Sequence, residues 1–204
     1  GKGKRMDPFT RILPKPLIPL GDEPIIKIIM DEFNKFGIVN FYISLNEKAK
    51  MIKAYFHDHS SPYTIQFIDE EEPLGTAGAL KYLKGKLDAP FFVSNCDIVL
   101  HTNYKSILDF HTKGSYAITL VASMRHFTIP YGVCDVVNDG ELIDIKEKPE
   151  YDFLVNTGVY ILEPDLLKLI PKESRFDMPD LIKKAKKNNL KVGVFPVSEK
   201  SWSD

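Results

Sequence analysis

Seven segments rich in β-branched and aromatic residues recur along the chain, and the early ones alternate with helical patterns. They are VNFYISL (39–45), YTIQFI (63–68), PFFVSN (90–95), YAITLVAS (116–123), VCDVV (133–137), FLVNTGVYIL (153–162) and KVGVFPV (191–197). Several are apolar almost without interruption, as strands covered on both faces are. Between them, PIIKIIMDEFNKFG (24–37) sets Ile25, Ile28, Ile29, Phe33 and Phe36 on one helical stripe, with Pro24 at the first helical position and Gly37 as the stop. EKAKMIKAYF (47–56) and NYKSILDFHTKG (103–114) read the same way. Helix alternating with strand predicts a parallel, doubly wound sheet. From about residue 116 the strands crowd together, and NDGE (138–141) carries the Asp-Gly signal of a hairpin, so an antiparallel addition is expected. Two later helices are expected, opening at Pro164 and Pro179. The expected fold is α/β, a doubly wound, mixed sheet with an antiparallel addition, in one domain over residues 1–204.

Composition narrows the function. Of the 204 residues, 44% are hydrophobic and 27% charged, which is globular rather than disordered. The formal net charge of −1 lacks the basic excess of a nucleic-acid surface, and KKAKKNNLK (183–191) reads as a solvated helix face. Cys96 and Cys134 form neither a disulfide framework nor a zinc pattern. His57 and His59 lack a third ligand at metal spacing. No apolar run reaches membrane-spanning length and no signal peptide opens the chain, so a reduced, cytoplasmic setting is expected. GKGKR at the start and SWSD at the end do not look like natural termini. The expectation is a segment trimmed at both ends, compatible with a further domain outside it and with self-association.

In an open α/β sheet, ligands bind beyond the carboxyl ends of the strands. FFVSNCDIVL (91–100) places Asp97 directly after an apolar strand, where a carboxylate is well placed for a magnesium–phosphate complex. In GKGKR, glycines and cations suit phosphate oxygens. In RILPKPLIP (11–19), Lys15 stands between Pro14 and Pro16, which exclude a regular helix and hold the backbone stiff. Gly75 to Gly78, in EEEPLGTAGALKYL (70–83), are small residues at a strand-to-helix turn, against which a base or phosphate could lie, with Thr76 as a helix cap. IKEKPE (145–150) and NTG (156–158) add Glu147, Lys148 and Asn156: Glu and Asn hold sugar hydroxyls, Lys holds phosphate.

In this order the motifs resemble the sugar-phosphate nucleotidyltransferase family, the NDP-sugar pyrophosphorylases. The family signature G-G-x-G-T-R-L-x-P-x-T, followed by P-K-P, is matched from its second glycine onward by GKGKRMDPFTRILPKPLIP. EPLGTAGAL, the Asp of NCD, YGV (131–133), EKP (147–149), NTGVYIL and the W-x-D of SWSD follow. The details are most similar to mannose-1-phosphate guanylyltransferases and to related modules that carry CBS domains. The resemblance implies a Rossmann-like three-layer α/β/α fold around a mixed, mainly parallel central sheet, and Mg²⁺-dependent condensation of an NTP with a sugar 1-phosphate to an NDP-sugar and pyrophosphate. Guanylyl transfer is favoured over thymidylyl, uridylyl or cytidylyl transfer. By position, Gly1, Gly3, Lys4 and Arg5 would line the nucleotide phosphates, with Gly75 and Thr76 near the base. Asp97 and Asp204 would hold Mg²⁺. Gly132, Glu147, Asn156 and Thr157 would hold the sugar phosphate, with Lys148 on its phosphate. Arg5, Lys15, Asp97 and Lys148 would be the catalytic charges. Lys4 replaces the family's Thr, Cys96 replaces its Gly before the metal Asp, and its first strand is absent. The altered Lys4 and Cys96 motivate an alternative expectation, a non-catalytic nucleotide-sugar-binding regulatory subunit.

Overall fold

In the computed structural model, which describes residues 9–58, 62–172 and 174–203, four successive residues of one strand, Val159 to Leu162, are each no more than 4% exposed. Side chains alternate faces along a strand, so such a run must be covered twice. Val159 and Ile161 pack with Ile25, Ile29, Phe33, Tyr104 and Ile107. Tyr160 and Leu162 pack on the opposite side with Leu166, Leu167, Met178, Leu181 and Ala185. A sheet between two helical layers is the architecture the apolar runs predicted.

The elements follow in chain order: α1 (Ile25–Asn34), β1 (Asn40–Leu45), α2 (Ala49–Asp58), β2 (Thr64–Asp69), β3 (Phe91–Ser94), α3 (Tyr104–Gly114), β4 (Ile118–Thr128), β5 (Val133–Val136), β6 (Leu142–Lys146), β7 (Glu150–Leu162), α4 (Met178–Lys187) and β8 (Val192–Val197). The central sheet has the order β8-β4-β7-β3. β8 runs parallel to β4, from Val192↔Ile118 to Val197↔Ser123. β7 runs antiparallel to both β4 and β3, with Leu162 opposite Ile118 and Phe91. A parallel pair, β1–β2, stands apart, and Phe33 of α1 connects it to the central sheet: its ring centroid lies 6.3 Å from Phe41 and 5.4 Å from Phe92.

Beyond Asn156 the outer halves of β4 and β7 leave the core as a two-stranded arm, and the hairpin β5–β6, turning through Gly140, extends it. Two expectations about α1 are corrected. Pro24 is the N-cap residue in extended conformation (φ −61°, ψ 143°), not the first helical one: it lies opposite Pro19 in a two-residue antiparallel ladder that precedes the helix. The helix ends at Asn34, so Phe36 lies past its end and is 40% exposed.

Candidate active site

Because β3, β4 and β8 point the same way, their carboxyl ends share one edge. Asp97 sits three residues past Ser94 at that edge. Lys15 reaches it from a single 3₁₀ turn, Lys15–Leu17, capped by Pro14 in extended geometry and carrying Pro16 inside. The Lys15 ammonium is ion-paired with the Asp97 carboxylate, and the two side chains are 26% and 25% exposed. The prolines thus fix the lysine's backbone, and 82 positions of chain separate the partners. The last described strand, Trp202–Ser203, returns to the same edge and pairs with Val99–Leu100, Ser203 lying opposite Val99. Arg125, on the arm, stacks its guanidinium 4.7 Å from the Trp202 ring and contacts Glu199.

The NTG segment forms an irregularity in β7, where the ladder to β4 shifts between Asn156 and Tyr160. Asn156 caps it: its carbonyl oxygen accepts from the Gly158 N–H at 3.0 Å and its amide donates to the Tyr160 hydroxyl at 2.7 Å. Burial raises the pKa of Tyr160, and the hydrogen bond from Asn156 opposes this. Thr157 is buried, with its hydroxyl donating to the Val121 carbonyl at 2.9 Å and accepting from Val159 N–H at 3.3 Å. Its side chain is therefore committed to the backbone, which accounts for Thr157 without a sugar phosphate. Gly158 has φ +87°, and a Cβ there would stand 2.6 Å from Asn95 Nδ2. The segment thereby abuts Asn95, two residues before Asp97.

At the base of the arm, Gly132, Glu147 and Lys148 come together. A Cβ on Gly132 would lie 3.1 Å from Glu147 Oε2, and Lys148 (φ 45°) donates its N–H to the Tyr131 carbonyl at 3.3 Å. The Gly75–Gly78 segment is a one-turn helix after Leu74. Its Thr76 does not cap that helix: the hydroxyl accepts from the Met178 N–H at 2.8 Å, at the start of α4. Gly1, Gly3, Lys4, Arg5, Asp204 and His59 lie outside the described residues. Both cysteines are free, Cys96 being exposed at the strand tip.

Sequence reasoning missed Asn95, Glu70 and Asp177. Asn95 is adjacent to a motif and carried a local signal. Glu70 accepts from the Leu74 N–H at 2.9 Å, and Asp177 from the Thr76 N–H at 2.8 Å. Among the described residues no group of three or more His, Cys, Asp or Glu could hold a metal. Asp97 alone still fits Mg²⁺, which takes one or two carboxylates and completes its shell with waters and substrate phosphates.

An α/β/α sheet with charged side chains gathered at its carboxyl edge belongs to the class of open α/β folds that bind ligands there. The chain belongs to the nucleotidyl transferase family, whose model matches residues 1–204. It is 36% identical over 182 residues to the mannose-1-phosphate guanyltransferase of Candida albicans, an alignment covering 83% of this chain and 49% of that protein. The chain thus spans about half the length of the curated relatives it matches. HddC from Yersinia pseudotuberculosis superposes with a TM-score of 0.72 at 22% identity, covering 94% of this chain and 84% of that one. The inositol-1-phosphate CTP transferase of T. maritima superposes with 0.71 at 18% identity, covering 100% and 85%. These structures establish the nucleotide-diphospho-sugar transferase fold, and the family expected from the motifs is borne out. No helix among the described residues is long and apolar enough to cross a membrane.

Proposed function

We propose that the protein transfers a nucleotidyl group, guanylyl by preference, from an NTP to a sugar 1-phosphate, giving an NDP-sugar and pyrophosphate. The observation that carries this reading is the Lys15–Asp97 pair at the carboxyl edge, beside the Gly158–Asn95 contact. The names of the relatives support the substrate class, mannose 1-phosphate and a guanine nucleotide.

A sugar-phosphate oxygen attacks the α-phosphorus. The new P–O bond forms as the α–β bridging P–O bond breaks, and pyrophosphate leaves with that electron pair. Both reactants are anions, so the protein's work is positioning and charge neutralisation, with no covalent intermediate on the chain. Mg²⁺, held by Asp97 with Asp204 as the second carboxylate, would supply charge neutralisation at the α-phosphate. Lys15, whose backbone is already fixed, passes from Asp97 to a phosphate oxygen by side-chain rotation alone. Lys148 neutralises the sugar's phosphate, and Arg5, with the Gly1, Gly3 and Lys4 backbone, the departing pyrophosphate. Glu147 and Asn156 orient the sugar hydroxyls, with Gly132 leaving room for Glu147. Gly75 lies against the base.

Pyrophosphate release from the intact protein, screened with four NTPs against a panel of hexose 1-phosphates, tests the reading. GTP with mannose 1-phosphate is expected to give the highest rate. Asp97→Asn should lower it on the order of 10²–10³-fold. Wild-type rates in that variant, or tight NDP-sugar binding without turnover on any sugar phosphate, would sink the assignment.

A further inference from the structure

The turn at Gly75–Gly78 is built by a segment 101 positions away, and the way it is built assigns a role to Asp177. Asp177 is the N-cap residue of α4, yet its side chain makes no hydrogen bond to its own helix. An aspartate at that position ordinarily accepts from the second or third N–H of its helix. Here its Oδ1 accepts instead from the Thr76 N–H at 2.8 Å, and the Thr76 hydroxyl accepts from the Met178 N–H at 2.8 Å. The two segments exchange caps.

The exchange extends along both backbones. The N–H groups of Ala77 and Gly78 donate to the Phe176 carbonyl at 2.9 Å each, and the Phe176 N–H donates to the Leu74 carbonyl at 2.8 Å. Gly75 is at φ +84°, where a Cβ would stand 2.6 Å from Asp177 Oδ1 and 2.7 Å from the Phe176 carbonyl oxygen. The glycine is required by the carboxylate behind it. From the other end, Glu70 accepts from the Leu74 N–H, and the Asn46 amide donates to the Glu70 carbonyl at 2.8 Å. Ala77 and Met178 are buried, so the joint has no slack.

This arrangement has a chemical consequence. The N–H groups of Thr76, Ala77 and Gly78 are all satisfied by Phe176 and Asp177, so they are not donors for a phosphate. What the turn can offer a nucleotide is the surface of Leu74 and Gly75, in a shape imposed from behind. We infer that Asp177 is a positioning residue for the nucleotide: it acts through Thr76 and Gly75 and does not touch substrate. The inference rests on the reading above that Gly75 lies against the base.

Steady-state kinetics and equilibrium nucleotide binding on Asp177→Ala and Asp177→Asn test it in the intact protein. Asp177→Ala is expected to raise the KM and the dissociation constant for GTP roughly tenfold, the loss of one hydrogen bond to a charged group. The KM for the sugar phosphate and kcat should stay within about twofold, since the arm and the Asp97 edge do not depend on this joint. Asp177→Asn keeps an acceptor oxygen in place without the charge. It guards against a folding defect, and should keep the melting temperature and raise the GTP constant only about threefold. Equal effects on both substrates, an effect on kcat alone, or unchanged GTP binding in Asp177→Ala would each overturn the positioning role. Failure of the wild type to bind any NTP would instead overturn the functional reading on which it rests.

Discussion

One strand, β7, lives in two environments. From Val159 to Leu162 it is sealed between two helical layers; from Tyr151 to Leu154 it is in the arm, with Phe153 51% and Leu154 49% exposed. Apolar and aromatic residues stand on both sides of the Asn156–Gly158 irregularity. Apolar sequence therefore does not by itself mean core; what decides is whether a helix covers each face. In the arm the aromatic rings of Phe127, Tyr151 and Phe153 pack mainly on each other, Phe127 and Phe153 at 6.0 Å.

The sharpest way to break this contrast is to cut matched side chains on its two sides. Ile161→Ala should cost about 2–5 kcal/mol of global stability in urea unfolding, as transfer and cavity terms add in a fully packed site. Phe153→Ala, the larger deletion, should cost less than about 1 kcal/mol because water already reaches the ring. Comparable losses would mean that the arm is covered in solution. Next in size is the boundary itself. Gly158→Ala forces a side chain into φ +87° against Asn95 and should cost about 1–3 kcal/mol, measured by the same unfolding, while loosening the contact beside Asp97. The smallest effect tests the arm alone. His126 there lies 2.9 Å from Asp152, whose hydrogen bond raises the imidazole pKa above its ordinary 6.5. A raised pKa means the folded arm binds the proton more tightly. The pairing therefore stabilises fully below the unfolded value and is lost as pH rises through the folded one. An NMR titration should show His126 titrating above 6.5 and returning toward it in Asp152→Asn.

Much of the fold was legible because burial on both faces writes itself as unbroken apolar runs, as in FFVS and VYIL. The start of β7 was not: Glu150–Asp152 is polar and exposed, and only its ladder to Phe127 and Thr128 makes it strand. The turn chemistry at Asp139-Gly140 was readable locally. At the site, Asp97 and Lys15 could be picked out singly, one by its place after a strand, the other by its prolines. Their pairing could not, because it is made by tertiary structure across 82 positions. Thr76 shows the same limit from the other side. A threonine before a helix looked like that helix's cap, and it caps α4 instead, since no local pattern points to Met178.

The contacts that shape the candidate site all join distant parts of the chain: Lys15 to Asp97, Thr76 to Asp177, and Leu100 to Trp202. Closing such long loops costs chain entropy before any contact rewards it, so these joints are late events in folding. During synthesis, the ribosome must deliver Asp177 before the Gly75 turn has its backing, and Trp202 before the ribbon beside Asp97 can close.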